Sequence, residues 1–170
     1  NHCLKIMTIL IKNKHRLLID RFKFKCCLGK NGRSIKKKEG DRRTPRGLYS
    51  IGNLYYRSDR LEKPSTKLKI VKIKRNMGWS HDSRFPKYYN KLIVLNKKIK
   101  HEKLFRRDNK YDLLILIKYN YPKSIIKKGS CIFIHLTKNY KPTAGCIAIK
   151  KKDFLILLKL INPNTKILIS

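Results

Sequence analysis

Acidic residues are scarce in this chain of 170 residues, which carries 10 Asp and Glu against 44 Lys and Arg, a formal net charge of +34. Long apolar runs are also missing, and none approaches the ~18 residues of a membrane-spanning helix. A hydrophobic share of 41% is nevertheless too high for a disordered basic tail. We therefore expect one folded domain over 1–170, with 1–15 as a first strand or a truncated N-terminal extension.

Cysteine is used sparingly and without metal-binding spacing. The five cysteines are Cys3, Cys26, Cys27, Cys131 and Cys146. No Cys-x-x-Cys pair occurs, which argues against a zinc ribbon and against a thioredoxin motif. The adjacent pair at 26–27 would point to opposite faces of a strand, so a shared metal ion is not expected there.

Valine and alanine are rare, with two of each against 22 Ile and 32 Lys. Because Lys and Ile have AT-rich codons, this skew indicates a compositionally biased genome that fills permissive surface positions with Lys. Phosphate recognition favours Arg, and only 12 residues are Arg. The charge by itself therefore does not favour nucleic acid as a specific partner. A basic β-domain that binds nucleic acid or another anionic polymer remains an alternative.

The dominant hydrophobic period is two residues, which is typical of half-buried strands. Strands are predicted at 22–28, 48–56, 68–74, 92–95, 113–119 and 131–136, with a last one at 165–169. Helical spacing occurs at 153–161 and, more weakly, at 101–107. The pattern predicts a mostly-β domain, a sandwich or partly closed barrel with one or two short helices.

The segment 131–153 contains the most reactive side chains. A buried strand ends at His135, and after a loop Gly145 and Cys146 open a second apolar strand. A cysteine needs a neighbouring base or a positive field to become a nucleophile, and His135 is the available base. A glycine before the thiol permits a tight turn whose N–H groups face an oxyanion. Such a pair taken alone is more often structural than catalytic.

Two separated motifs change that balance. His135 followed by T-A-G-C-I-A-I at 143–149 resembles the signature of the L,D-transpeptidase catalytic domain (YkuD) family, and E-G-D-R-R-T-P-R-G-L-Y-S-I-G at 39–52 resembles a second element of it. The resemblance spans roughly 20–169 and is closest to the compact single-domain members. It implies a β-sandwich with a helix or two, in agreement with the strand pattern.

The resemblance also implies a reaction. Cys146 would be the nucleophile, His135 its base, and the N–H groups of Gly145 and Cys146 the oxyanion donors. The substrate would be a peptidoglycan stem peptide, cross-linked 3→3 through a thioester with release of D-Ala and without cofactor or metal. Water as the acceptor would instead give an L,D-carboxypeptidase. Many family members have an Arg where this chain has Ala148. Because that Arg could orient a carboxylate substrate, its absence leaves both transferase and hydrolase activity open.

Weaker predictions concern substrate contacts and location. Polar and aromatic residues near the expected loops are candidate contacts, although packing roles compete for each of them: Thr143, Trp79, His81, Tyr89, Asn90, Tyr119 and Asn120. The first dozen residues lack the long apolar core and cleavage site of a signal peptide. The family nevertheless implies the cell envelope, where the basic surface would meet anionic cell-wall polymer.

Overall fold

The computed structural model describes residues 7–35, 37–95 and 97–170, and Cys3 lies outside these ranges. The strands are β1 (Thr8–Lys12), β2 (Arg16–Ile19), β3 (Phe22–Lys25), β4 (Arg33–Ser34), β5 (Thr44–Pro45), β6 (Gly47–Tyr56), β7 (Ile70–Lys72), β8 (Met77–Ser80), β9 (Leu92–Val94), β10 (His101–Lys103), β11 (Leu113–Ile117), β12 (Phe133–Leu136), β13 (Ile147–Ile149) and β14 (Lys166–Ile169). One helix, α1 (Lys151–Leu160), lies between the last two strands.

Nine strands form one sheet in the order β13-β12-β11-β6-β14-β1-β2-β3, with β7 paired to β6. Cys27, just after β3, pairs with Ala148 of β13 at the other end of this order. The sheet is therefore nearly closed into a barrel. A three-stranded sheet, β10-β8-β9, and the short pair β4-β5 complete the structure. The mostly-β prediction is confirmed.

The central strand β11 separates two cores because its alternate side chains point to opposite faces. Leu113, Ile115 and Ile117 face the main core, which also includes the buried face of α1. Leu114 and Leu116 face a second, smaller core that contains Trp79 of the three-stranded sheet. A strand buried on both faces has a continuous apolar sequence, as 113–117 does.

The weak helix prediction at 101–107 is wrong. His101–Lys103 is strand β10, which pairs antiparallel with β8 so that Glu102 lies opposite Trp79. Leu104, which follows the strand, is fully buried in the second core. Tertiary pairing therefore overrides the short helical spacing at this position. No helix among the described residues is long and apolar enough to cross a membrane.

Candidate active site

The parallel pairing of β12 with β13 places the predicted pair on neighbouring chain segments. His135 lies opposite Ala148 in the register of the two strands. Cys146 precedes Ala148 by two residues and therefore projects from the same face of the sheet as His135. Both side chains are buried, with 4% of His135 and 8% of Cys146 exposed. Adjacent strands thus place the imidazole and the thiol on one face of the sheet, although the two residues are 11 positions apart in the sequence.

The turn before Cys146 requires glycine. Gly145 has a φ of 144°, and a Cβ there would lie 2.9 Å from the backbone oxygen of Arg43. Thr143 closes the turn, because its Oγ1 accepts from the Gly145 N–H at 3.1 Å and donates to the Cys146 carbonyl at 2.6 Å. Thr143 therefore shapes the backbone that presents the thiol.

The motif at 39–52 is hydrogen-bonded to this turn. The Thr44 hydroxyl donates to the Gly145 carbonyl at 2.9 Å and accepts from the Gly29 N–H at 2.9 Å. Asp41 shapes the approach to Thr44, since its carboxylate accepts from the Arg43 N–H at 2.9 Å and from the Lys37 ammonium at 2.8 Å. The two motifs that are far apart in sequence are therefore bonded to each other at the site.

Thr44→Val is expected to lower the free energy of unfolding by about 2–6 kcal/mol. Thr44 is fully buried, so the substitution leaves the Gly29 N–H and the Gly145 carbonyl without their partner, at ~1–3 kcal/mol each. Thr44→Ser keeps the hydroxyl and should lose much less. Chemical denaturation of both variants measures the difference, and equal stability of the two would contradict this role of the hydroxyl.

The imidazole of His135 is oriented by a backbone carbonyl. Its Nδ1 lies 2.9 Å from the oxygen of Leu136, a distance at which Nδ1–H donates. Its Nε2 is buried and has no hydrogen-bond partner among the described residues. Burial, aided by the charge of Lys110, lowers the pKa of His135 to about 3. The ring is therefore neutral at physiological pH, with Nε2 free to accept a proton.

The thiol of Cys146 is directed at a carbonyl in this structure. Its Sγ lies 3.1 Å from the oxygen of Cys131. Burial raises the pKa of Cys146 to about 11, although the positive charges of Lys110 and Lys37 act in the opposite direction. The group is thus a protonated thiol at neutral pH and needs a base before it can attack a carbonyl.

The two predicted oxyanion donors are not equivalent. The Gly145 N–H already donates to Thr143 Oγ1, so it is available to an oxyanion only if that contact opens. The Cys146 N–H is the other donor of the prediction. An oxyanion role for the pair stays a prediction.

A groove with a volume of about 720 Å³ runs beside His135. Thr143 and Lys110 line it together with His135, whereas Cys146 is not among its lining residues and lies in the second core behind it. The groove is large enough for a short peptide, and His135 is the reactive side chain on its wall.

Three of the weaker substrate predictions fall on buried residues with protein partners. Trp79 and Tyr89 are fully buried, and 1% of Asn90 is exposed. The Asn90 side chain accepts from Trp79 Nε1 at 2.8 Å and from the Cys131 N–H at 3.1 Å, and donates to the Asn120 carbonyl at 2.8 Å. The structure gives these three residues packing roles, and substrate contact is not supported by their geometry.

The remaining weak predictions lie in the loop beyond β11 and next to β8. The Tyr119 hydroxyl donates to the Lys128 carbonyl at 2.5 Å, and the Asn120 amide donates to the Gly129 carbonyl at 2.9 Å. Both residues shape that loop. His81 is half-buried, and its N–H donates to the Lys100 carbonyl. The structure does not bring these three side chains into the groove, whereas Thr143 does line it.

Sequence reasoning missed two residues beside the pair. The Tyr111 ring meets the His135 ring edge to face at 5.5 Å, and its hydroxyl donates to Glu102 at 2.9 Å. Lys37 is 4% exposed although it lies in a lysine-rich stretch. Neither position carries a local signal, because each is brought to the site by a different loop. Among the described residues, no three His, Cys, Asp or Glu side chains are grouped to hold a metal ion.

Comparison with known proteins agrees with the motifs. No curated protein matches the chain. A solved structure of Bdellovibrio bacteriovorus Bd1075 is similar at 16% identity with a TM-score of 0.48, covering 100% of this chain and 49% of that one, so the chain spans about half of its length. The model of the L,D-transpeptidase catalytic domain, YkuD, matches residues 6–169. The chain therefore belongs to the YkuD family of L,D-transpeptidase catalytic domains.

Proposed function

We propose that this chain is a cysteine acyltransferase on peptidoglycan stem peptides, an L,D-transpeptidase that forms 3→3 cross-links. The observation that carries the proposal is the placement of Cys146 and His135 on one face of adjacent parallel strands, with His135 Nδ1 held by a carbonyl and Nε2 unpartnered. Membership of the family supports the substrate class. An envelope location follows from the same substrate.

The first step requires the thiol to turn from the Cys131 carbonyl toward His135. Nε2 then takes the thiol proton, and Sγ attacks the carbonyl that joins the third residue of the stem to the terminal D-Ala. The tetrahedral oxyanion faces the backbone N–H of Cys146. When the C–N bond breaks, His135 returns its proton to the departing amine of D-Ala, and a thioester remains on Cys146.

The second step resolves the thioester. An amine of a second stem gives up a proton to His135 and attacks the thioester carbonyl, which yields an amide and restores the thiol. Water in place of the amine would release a shortened stem, the outcome of an L,D-carboxypeptidase. The chemistry up to the thioester is the same in both reactions, so the acceptor alone separates them.

The products of incubation with disaccharide-tetrapeptide muropeptides test the proposal. Mass spectrometry should find 3→3 dimers, each accompanied by one released D-Ala. Shortened monomers without dimers would overturn the transferase assignment in favour of hydrolysis. Unchanged tetrapeptides, in a preparation whose thiol titrates as intact, would contradict acyl transfer on stems altogether.

A further inference from the structure

The groove beside His135 has lysines that form no ion pair with a carboxylate of the described residues. The two acidic residues on its lining form ion pairs with arginines that do not line the groove. Asp112 pairs with Arg60 and Asp108 with Arg106, each at 2.7 Å. Four lysines on its lining make no ion pair among the described residues: Lys110, Lys138, Lys141 and Lys151. The groove therefore presents net positive charge to a ligand, even though two carboxylates are among its lining residues.

Lys110 lies in the loop next to His135. Its carbonyl accepts from the Leu136 N–H at 3.0 Å, directly after His135 in β12. Its ammonium nitrogen is 5.0 Å from the centre of the Tyr111 ring, which itself contacts His135. Its charge lowers the pKa of both His135 and Cys146, so the ammonium lies within electrostatic reach of both.

The loop that carries Lys110 is held rigidly. The Arg60 guanidinium donates to three consecutive carbonyls, those of Arg106, Arg107 and Asp108, at 3.1, 2.9 and 2.7 Å, in addition to its ion pair with Asp112. A guanidinium with this many partners fixes the loop before any ligand arrives. The fixed backbone anchors the base of the Lys110 side chain, which reduces the entropic cost of placing its ammonium against an anion.

The strand beside His135 offers no competing charge. Ala148 lies opposite His135, is fully buried, and has both backbone groups bonded to Cys27 at 3.0 Å. A cation for a bound anion must therefore come from the loops of the groove or from Lys151 at the start of α1. In a peptide that ends one residue after the attacked carbonyl, the terminal carboxylate is three bonds from that carbonyl, roughly 4 Å away.

We propose that Lys110 is a specificity-determining residue that binds the terminal carboxylate of a peptide acyl donor in this groove. The proposal rests on the acyl-transfer function above. It makes the chain selective for donors that end in a free carboxylate one residue beyond the reacting carbonyl. Lys110 and His135 line the same groove, which supports a ligand at this place.

Calorimetric titration in the Cys146→Ala background tests the anchor without catalysis. The probes are the peptide L-Ala-γ-D-Glu-L-Lys-D-Ala and its C-terminal carboxamide. The carboxylate form should bind about tenfold tighter or more, the size of a charge-assisted hydrogen bond. Lys110→Gln should bring the ratio close to one, and Lys110→Arg should retain most of it. Lys23→Gln removes the same charge on β3 and should keep the full ratio.

Equal affinity of the Cys146→Ala protein for the two peptides would overturn the proposal. A decrease in affinity on Lys110→Gln that is equal for both peptides would also overturn it. Absence of measurable binding of either peptide would also count against it. Acyl transfer is measured separately on protein that retains Cys146. If the protein forms no thioester but still binds the carboxylate peptide selectively through Lys110, the acyl-transfer function is refuted and the role of Lys110 in binding stands.

Discussion

Replacement of Cys146 by alanine is expected to abolish covalent acylation by a carbapenem-type β-lactam. In the unsubstituted chain, Sγ attacks the lactam carbonyl, the ring C–N bond breaks, and the nitrogen takes up a proton, so the mass rises by that of the whole β-lactam. Without Sγ no thioester forms. Intact-mass spectrometry should therefore show complete adduct formation in the parent chain and none in the variant.

Cys131→Ala is the matched control for this experiment. Cys131 is a half-buried residue in the same region, and its backbone carbonyl contacts the Cys146 thiol. Removal of the Cys131 side chain should leave the adduct intact. An adduct that persists in Cys146→Ala but disappears in Cys131→Ala would show that the sequence motif points to the wrong nucleophile.

His135→Gln is expected to slow acylation by ~10²–10⁴-fold at neutral pH, the usual contribution of a general base. The pKa of Cys146 is raised to about 11, so the thiol stays protonated at neutral pH unless a base removes its proton. The pKa of His135 is lowered to about 3, so the imidazole remains a proton acceptor throughout the neutral range. The parent rate should therefore depend little on pH there.

The pH profile of the variant distinguishes loss of the base from general damage. Without His135 the reaction relies on free thiolate, so its rate should rise about tenfold per pH unit below the pKa of Cys146. Damage to the fold would instead lower the rate equally at every pH. His15→Gln, in the exposed turn between β1 and β2, is the control. A spared His135→Gln with a strong loss in His81→Gln would transfer the base role to His81.

Acid stability follows from the same buried imidazole. The folded pKa of His135 lies below its ordinary value of 6.5, so the unfolded chain binds a proton that the folded chain refuses. This contribution to stability is present above the unfolded pKa and is lost progressively as the pH falls toward the folded one. The same burial therefore keeps the imidazole neutral at physiological pH and makes the folded chain less stable at low pH.

Sequence pattern was sufficient wherever local side-chain alternation coincides with burial. The strands predicted at 48–56 and 113–119 lie close to the observed Gly47–Tyr56 and Leu113–Ile117. The helix predicted from 153 begins at Lys151, and Phe154 and Leu157 on its apolar face are buried as expected. The segment at 101–107 failed because its conformation is set by pairing with β8, a contact between distant residues.

The family membership could be read from the sequence, and Cys146 and His135 could be predicted as the reactive pair, since a thiol after a glycine turn and an upstream histidine need only short spacings to be recognised. The protonation state of these two side chains could not be read from the sequence. Burial decides that Cys146 is a thiol and His135 a neutral ring, and burial depends on side chains from many elements. The Thr44–Gly145 bond and the placement of Lys110 beside His135 arise from loops far apart in the chain. The net charge of +34 belongs to the sequence, but only the tertiary structure shows which lysines line the groove beside His135.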